Sequence, residues 1–262
     1  MFKIIRITLL LLVLASVAST LLIQRNIVKD WSGTLDIRII PVLADQKSST
    51  KSYVDSLKPS DFNTINQYLV TQARRFDLDL KYSLNISLDN AIDNIPPSVP
   101  AHHSSRFQTI IWALKLKWWA WRNKPKDHKL SQIRLYVLYQ SPADSGPLPH
   151  STGLQNGLIG LVNARAHASQ HSLHQVIITH ELLHIWGASD KYDLASGQPN
   201  TSNGYAEPNK VPLLPQRFAA LMARAKPLNE TDFEVVGHLK KTKINVYTAQ
   251  EIGWLKIKTP TN

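Results

Sequence analysis

Residues 180–190 read HELLHIWGASD, and no other stretch constrains the fold as tightly, because these eleven residues demand a helix, a stop and a reversal of the chain. On a helix, side chains four positions apart stand one above the other, so His180 and His184 can offer ring nitrogens to one metal ion from a single face. Glu181 then stands beside the ion, where a carboxylate can take a proton from water that the ion acidifies. Gly187 occupies the place where a left-handed residue stops a helix, letting the chain turn back and bring in Asp190 as a third ligand. Three protein ligands leave a fourth position open, as in catalytic zinc sites and unlike closed structural ones. The competing reading is a solvated helix with two incidental histidines. It fits poorly with the apolar Val176, Ile177 and Ile178, which imply burial.

His180, Glu181, His184, Gly187 and Asp190 resemble the HExxHxxGxxD form of the metzincin signature, in which aspartate is the third ligand, as in snapalysin-like peptidases. The resemblance spans about residues 150–227 and implies an α+β, zincin-like domain. Such a domain has a mixed twisted sheet with packed helices, an active-site helix, a methionine-bearing turn beneath the metal and an irregular C-terminal lobe. It also implies a Zn2+ cofactor and a protein or peptide substrate. Met222 lies in FAALMARAKP, thirty-two residues after Asp190, a spacing that suits the turn, although a lone methionine is also an ordinary core filler. Some metzincins carry a metal-reaching tyrosine two residues after that methionine. Here the place is Arg224, so Tyr192 or Tyr205 would have to assist an oxyanion, and packing is the competing role for both. In metzincin-like enzymes the strand shortly upstream of the metal helix is an edge strand that pairs with extended substrate. By that resemblance Gly157, Leu158 and Gly160, within 157–163, bind peptide backbone; a glycine-rich edge without a ligand is the alternative. The longer strings DKYD, YAEP and PQRFAALMA are similar to a group of uncharacterised membrane-anchored bacterial proteins. The chain thus reads as a zinc-dependent endopeptidase. A non-catalytic, membrane-tethered zinc-binding interaction protein and a zinc hydrolase of cell-wall material are the alternatives.

Residues 7–23 are seventeen consecutive residues without charge, preceded by Lys3 and Arg6 and followed by Arg25 and Lys29. They predict a membrane-directing segment over 1–30 ahead of a single catalytic domain over 31–262. Cleavage after Ser16 and Ala18 would leave Leu21, Leu22 and Ile23 on the mature end, which favours an uncleaved single-pass helix. The basic residues ahead of the span predict a bacterial inner-membrane protein whose domain faces the periplasm or exterior. With no cysteine, the chain has neither disulfides nor a lipidated-cysteine anchor, and its stability must come from a core. The net charge of +11 predicts contact most simply with anionic lipid head groups, and equally allows anionic cell-wall polymers. Nucleic acid is not an expected partner, because there is no binding module and no long Lys/Arg run.

Elsewhere, residues 34–42 predict a first strand, followed by a polar loop. Pro59 and Ser60 open a helix with Ile65, Leu69, Ala73 and Phe76 on one face. Residues 81–88 alternate as a second strand, and the proline-rich 95–104 is a loop carrying His102 and His103 as solvated histidines. The spacing predicts a helix over 106–122 with two apolar stripes: Phe107, Ile111, Leu114, Trp118 and Trp121, then Trp112, Leu116 and Trp119. Tryptophan interleaved with Lys115, Lys117 and Arg122 is a membrane-interface signature, whereas two stripes suit a helix packed between a sheet and another element. The second reading is preferred, with the basic end free to touch lipid. Residues 133–139 and 158–162 predict further strands, and Ser172 caps the metal helix, which runs to Trp186. Residues 191–215 form an irregular lobe, in which Glu207 reads as an exposed acid, with a hydrogen-bond partner of a metal ligand or a calcium ligand as the lesser alternatives. Residues 243–248 look strand-like, ahead of a short helix near Thr248.

Overall fold

Strands that are apolar at successive positions have no side suited to water. In the computed structural model, which describes residues 2–31, 33–80, 84–100, 105–127, 132–144 and 146–255, they form a sheet covered on both faces. Helix α1 (Phe2–Ile27) leads into β1 (Leu35–Leu43), and α2 (Ser48–Asp55) and α3 (Asn63–Arg74) carry the chain to β2 (Leu84–Leu88). Helix α4 (Arg106–Arg122) precedes β3 (Ile133–Gln140), which is followed by β4 (Thr152–Leu154), β5 (Ile159–Arg165) and α5 (His171–Ile185). The remainder holds β6 (Ala219–Ala220), β7 (Ala225–Pro227), β8 (Phe233–Val235), β9 (Thr242–Lys243) and α6 (Val246–Glu251).

The main sheet has the order β2-β1-β3-β5-β4, and only β4 runs antiparallel to its neighbour. The class is therefore α/β with a mostly parallel mixed sheet, which corrects the expected α+β, zincin-like arrangement. The physical reason lies in the connections: a parallel pair needs a long crossover, and α2 with α3, then α4, supply two of them. Ile37, Ile39, Leu135, Val137 and Val162 join the core with Ile65 and Leu69 of α3 and Ile178, Leu182 and Ile185 of α5. Ile40, Val42, Tyr136, Leu138 and Leu161 point the other way and pack with Trp112, Leu116, Trp119 and Ala120 of α4.

The expected membrane-spanning helix is also overturned. Among the described residues no helix is long and apolar enough to cross a membrane. An uncharged run of seventeen residues rises only ~26 Å, short of the ~30 Å hydrocarbon core. The single-pass inner-membrane placement falls with it. The end of α1 is built into the body instead: Gln24 and Val28 are buried, and Gln24 Oε1 accepts from the Gly157 amide at 3.1 Å. Trp31 meets the Trp186 ring edge-on at 4.9 Å and donates to the Ile252 carbonyl at 3.0 Å.

Smaller departures have local causes. The polar run after β1 forms α2, with Thr50 and Val54 buried. The strand-like 243–248 breaks after β9 because the Asn245 side chain accepts from Thr248 N at 3.0 Å and starts α6. Helix α5 begins at His171 after a 3-10 turn at Ala168–Gln170, so Ser172 is not its cap. His102, His103 and the first part of the predicted 81–88 strand lie outside the described residues.

Candidate metal centre

Ten of the fifteen residues of α5 are buried, His180 and Glu181 among them, so the helix is a strut through the domain whose polar residues must find partners inside it. Its end is a Schellman turn: the Gly187 amide donates to the His184 carbonyl at 3.0 Å and the Ala188 amide to the Leu183 carbonyl at 2.9 Å. Gly187 has φ +101°, a conformation that a residue with a Cβ adopts only under strain. Three residues later Asp190 Oδ1 lies 3.1 Å from His180 Nε2 and 3.2 Å from His184 Nε2. The two Nε2 atoms are themselves 3.1 Å apart.

Second contacts decide what this triangle holds. His180 Nδ1 donates to the Leu221 carbonyl at 3.2 Å and His184 Nδ1 to the Ala188 carbonyl at 2.8 Å. A carbonyl only accepts, so each Nδ1 carries the proton and each Nε2 turns a lone pair inward. Asp190 Oδ1 has no hydrogen-bond partner among the described residues. Three acceptors thus meet edge to edge, which is repulsive until a cation lies among them. Ligand atoms ~2.0–2.1 Å from a tetrahedral ion stand ~3.3–3.4 Å apart, a little above the spacings observed. The His180, His184 and Asp190 group is compatible with a metal ion, its ligand atoms all lying within 4.8 Å of one another. Protons answer the same demand. Burial opposes charge on His184, but Asp190 and Glu181 raise its pKa above the ordinary value. Burial likewise opposes charge on Asp190, yet the two imidazoles hold its carboxyl well below the carboxylate range. Metal and protons therefore compete for one place.

Glu181 is buried beside the group. Burial chiefly raises its carboxyl pKa, Asp190 adds to the rise, and the two histidines and Arg224 oppose it. Its Oε2 has no hydrogen-bond partner among the described residues. All four side chains open onto a cleft of about 390 Å3, which is also lined by the apolar Leu148, Leu173, Val176, Ile177, Val235 and Val236 and by Tyr192 and Arg224. Met222 is fully buried in the 3-10 turn Leu221–Ala223, the turn whose Leu221 carbonyl orients His180. Arg224 closes that turn with φ +62° and reaches towards Tyr192 Oη at 3.5 Å. Tyr205 is buried, bridges to Ala219 and does not line the cleft. Glu207 is taken by Arg217 at 2.7 Å and Lys243 at 3.0 Å; these cations outweigh its desolvation and bring its pKa to about 2. Its carboxylate is thus committed to a structural pair.

The predicted substrate strand is placed differently. β5 lies between β3 and β4, so β4 is the edge. Gly157, Leu158 and Gly160 do not line the cleft: Leu158 is wholly buried, and a Cβ on Gly160 would fall 2.4 Å from Leu135 Cδ2. Asn163, His150 and Ser151 line it instead, held together by Asn163 Nδ2 donating to the His150 carbonyl at 3.2 Å and the Asn163 amide to Ser151 Oγ at 3.0 Å. Two further contributors escaped sequence reasoning. A Cβ on Gly153, in β4, would stand 2.3 Å from the Glu181 carbonyl oxygen and 2.8 Å from His184 Cβ, so glycine lets the edge strand lie against the metal helix. Lys191 next to Asp190 is fully buried and donates to Glu251 of α6 at 2.6 Å, while its amide donates to the Met222 carbonyl at 2.9 Å. Neither had a signal that singled it out: Gly153 is one of several glycines around β5, and the Lys191 and Glu251 pair leaves no local pattern.

No family model matches the sequence, and no curated protein does. Among solved structures, the chain is similar to one titled "Structure of a chaperone-substrate complex", at 12% identity and a TM-score of 0.30. The match covers 86% of this chain and 40% of that one, so this chain spans about two fifths of its length.

Proposed function

We propose that this protein is a zinc-dependent peptidase that hydrolyses peptide bonds with Glu181 as its base. The observation that carries the reading is the meeting of His180 Nε2, His184 Nε2 and Asp190 Oδ1, three inward-facing acceptors 3.1–3.2 Å apart, beside a Glu181 oxygen without a hydrogen-bond partner among the described residues. His180, His184 and Asp190 would hold the zinc ion, which would supply Lewis acidity to water and to a carbonyl at the site. The Leu221 and Ala188 carbonyls keep both imidazoles in the tautomer that binds metal. Glu181 takes the proton from the attacking water and passes it to the departing amine. The apolar residues that line the cleft receive a side chain next to the scissile bond and exclude water from it. A peptide is the substrate best suited to this cleft, because the neighbouring β4 is a sheet edge on which an extended main chain can pair. The HExxHxxGxxD resemblance supports the same choice.

The test uses the full chain, its zinc content by elemental analysis and its cleavage of an unstructured protein. Glu181→Gln is expected to keep zinc while losing at least ~100-fold in turnover. His184→Ala is expected to lose both. Hydrolysis surviving in Glu181→Gln, or zinc content unchanged in His184→Ala, would sink the assignment.

A further inference from the structure

The two apolar stripes of α4 have opposite fates. Trp112, Leu116, Trp119 and Ala120 are buried against the sheet. Phe107, Ile110, Ile111, Leu114, Trp118 and Trp121 stay in solvent, with Phe107 at 71%, Leu114 at 62%, Trp118 at 59% and Trp121 at 61% exposure. Six large apolar side chains in one row are far from the scattered exposure that soluble surfaces tolerate.

Their arrangement points to what covers them. At ~100° per residue the six fall within an arc of ~100° on the helix. Lys115 and Arg122 border one side of that arc and Arg106 and Lys117 the other, and the helix contains no acidic residue. Cations pack against the aromatic rings at its C-terminal end: Arg122 Cζ lies 5.0 Å from the Trp118 ring and Lys124 Nζ 5.7 Å from the Trp121 ring. An apolar row with aromatic members and basic shoulders on both sides is complementary to the boundary between acyl chains and anionic head groups. A protein groove would need a matching row of acids on both flanks, whereas an anionic bilayer presents negative charge wherever the helix lands. The chain's net charge of +11 adds attraction at longer range. We propose that the outer row of α4 docks on the surface of an anionic lipid bilayer, the helix lying in the plane of the head groups. Helices α4 and α5 pack on opposite faces of the sheet, and the outer row of α4 contributes no residue to the metal cleft. The proposal is independent of the peptidase reading.

The experiment sediments the full chain with vesicles of phosphatidylcholine alone and with vesicles also containing phosphatidylglycerol. The expected result is partition at least ~10-fold stronger onto the anionic vesicles, weakening as salt is raised. Leu114→Gln/Trp118→Gln/Trp121→Gln changes only exposed positions and should lose ~10-fold or more of that partition. Arg122→Glu/Lys124→Glu should lose the preference for anionic vesicles. Near-ultraviolet circular dichroism verifies that each variant is folded. If the triple variant does not fold, the charge variant and quenching of wild-type tryptophan fluorescence by brominated lipid decide the matter. Helix α1 is intact in every variant, so partition of the folded triple variant equal to wild type overturns the proposal. So do equal binding to neutral and anionic vesicles and an absence of quenching. A dimer in light scattering that the triple variant dissolves, without vesicle binding by the wild type, would assign the row to a second copy of the chain and overturn it equally.

Discussion

Gly153 shows how much of the metal group's geometry rests on a residue that holds no ligand. The carbonyl of Glu181 and the Cβ of His184 occupy the space a side chain would need there, 2.3 and 2.8 Å from an ideal Cβ. Backbone cannot yield as the tip of a long side chain does, so Gly153→Ala must push β4 and α5 apart. We expect a loss of about 1–3 kcal/mol in thermal melts, together with weaker zinc binding in titration. Gly237→Ala is the control, since nothing lies within 4 Å of its Cβ position. A Gly153→Ala protein that binds zinc as the wild type does would show that strand and helix have slack. His180, Glu181 and His184 were legible because their spacing on one helix is a local property. Gly153 was not, since nothing in the glycines around β5 says which of them a helix will approach.

At the scale of elements, the position of Asp190 depends on how the end of α5 is joined to α6. The Schellman turn reverses the chain, and the next residue but two, Lys191, buries its ammonium against Glu251, whose oxygens also receive the Ser189 amide and hydroxyl. Glu251→Ala leaves a wholly buried cation with only Ser189 for partner, and we expect a loss of about 2–3 kcal/mol, less than for a fully buried pair because Glu251 keeps some exposure. Lys191→Met/Glu251→Gln removes the buried charge itself, so its melting temperature should recover much of the loss. Equal melting temperatures for the single variant and the wild type would mean that α6 does not anchor the loop. The same scale decides α4: its bounds follow from Ser105, which accepts from Gln108 N in a capping box, but which stripe is covered depends on the sheet beneath.

For the whole molecule, acid stability has a definite cause in the core under the sheet. His174 lies near the Tyr53 and Tyr139 rings, with its Nδ1 unpartnered among the described residues. Burial, helped by the charge of His171, lowers its pKa from 6.5 to about 4. The unfolded chain takes up this proton at the ordinary value and the folded chain only at the lower one. Between those pH values the unfolded state binds more protons, so stability present above pH 6.5 falls by about 3 kcal/mol as pH drops to about 4. In metal-free protein, held so by a chelator, His174→Gln should melt at a temperature that varies less over this range; an unchanged pH profile would contradict the assignment. By itself the order of residues determined the group His180, Glu181, His184, Gly187 and Asp190, because a four-residue spacing, a helix stop and a short return are all encoded within one turn of chain. It also determined most helices and the longer strands β1, β2, β3 and β5, whose periodicities are local. Only the tertiary structure decided that the sheet is mostly parallel, that β4 and not β5 is its edge, that α1 ends inside the body, and that Lys191 reaches Glu251. All but the β4 edge depend on contacts between residues far apart in the chain, which leave no periodic trace in it; β4 pairs locally with β5 but is three residues long, too short to show a period.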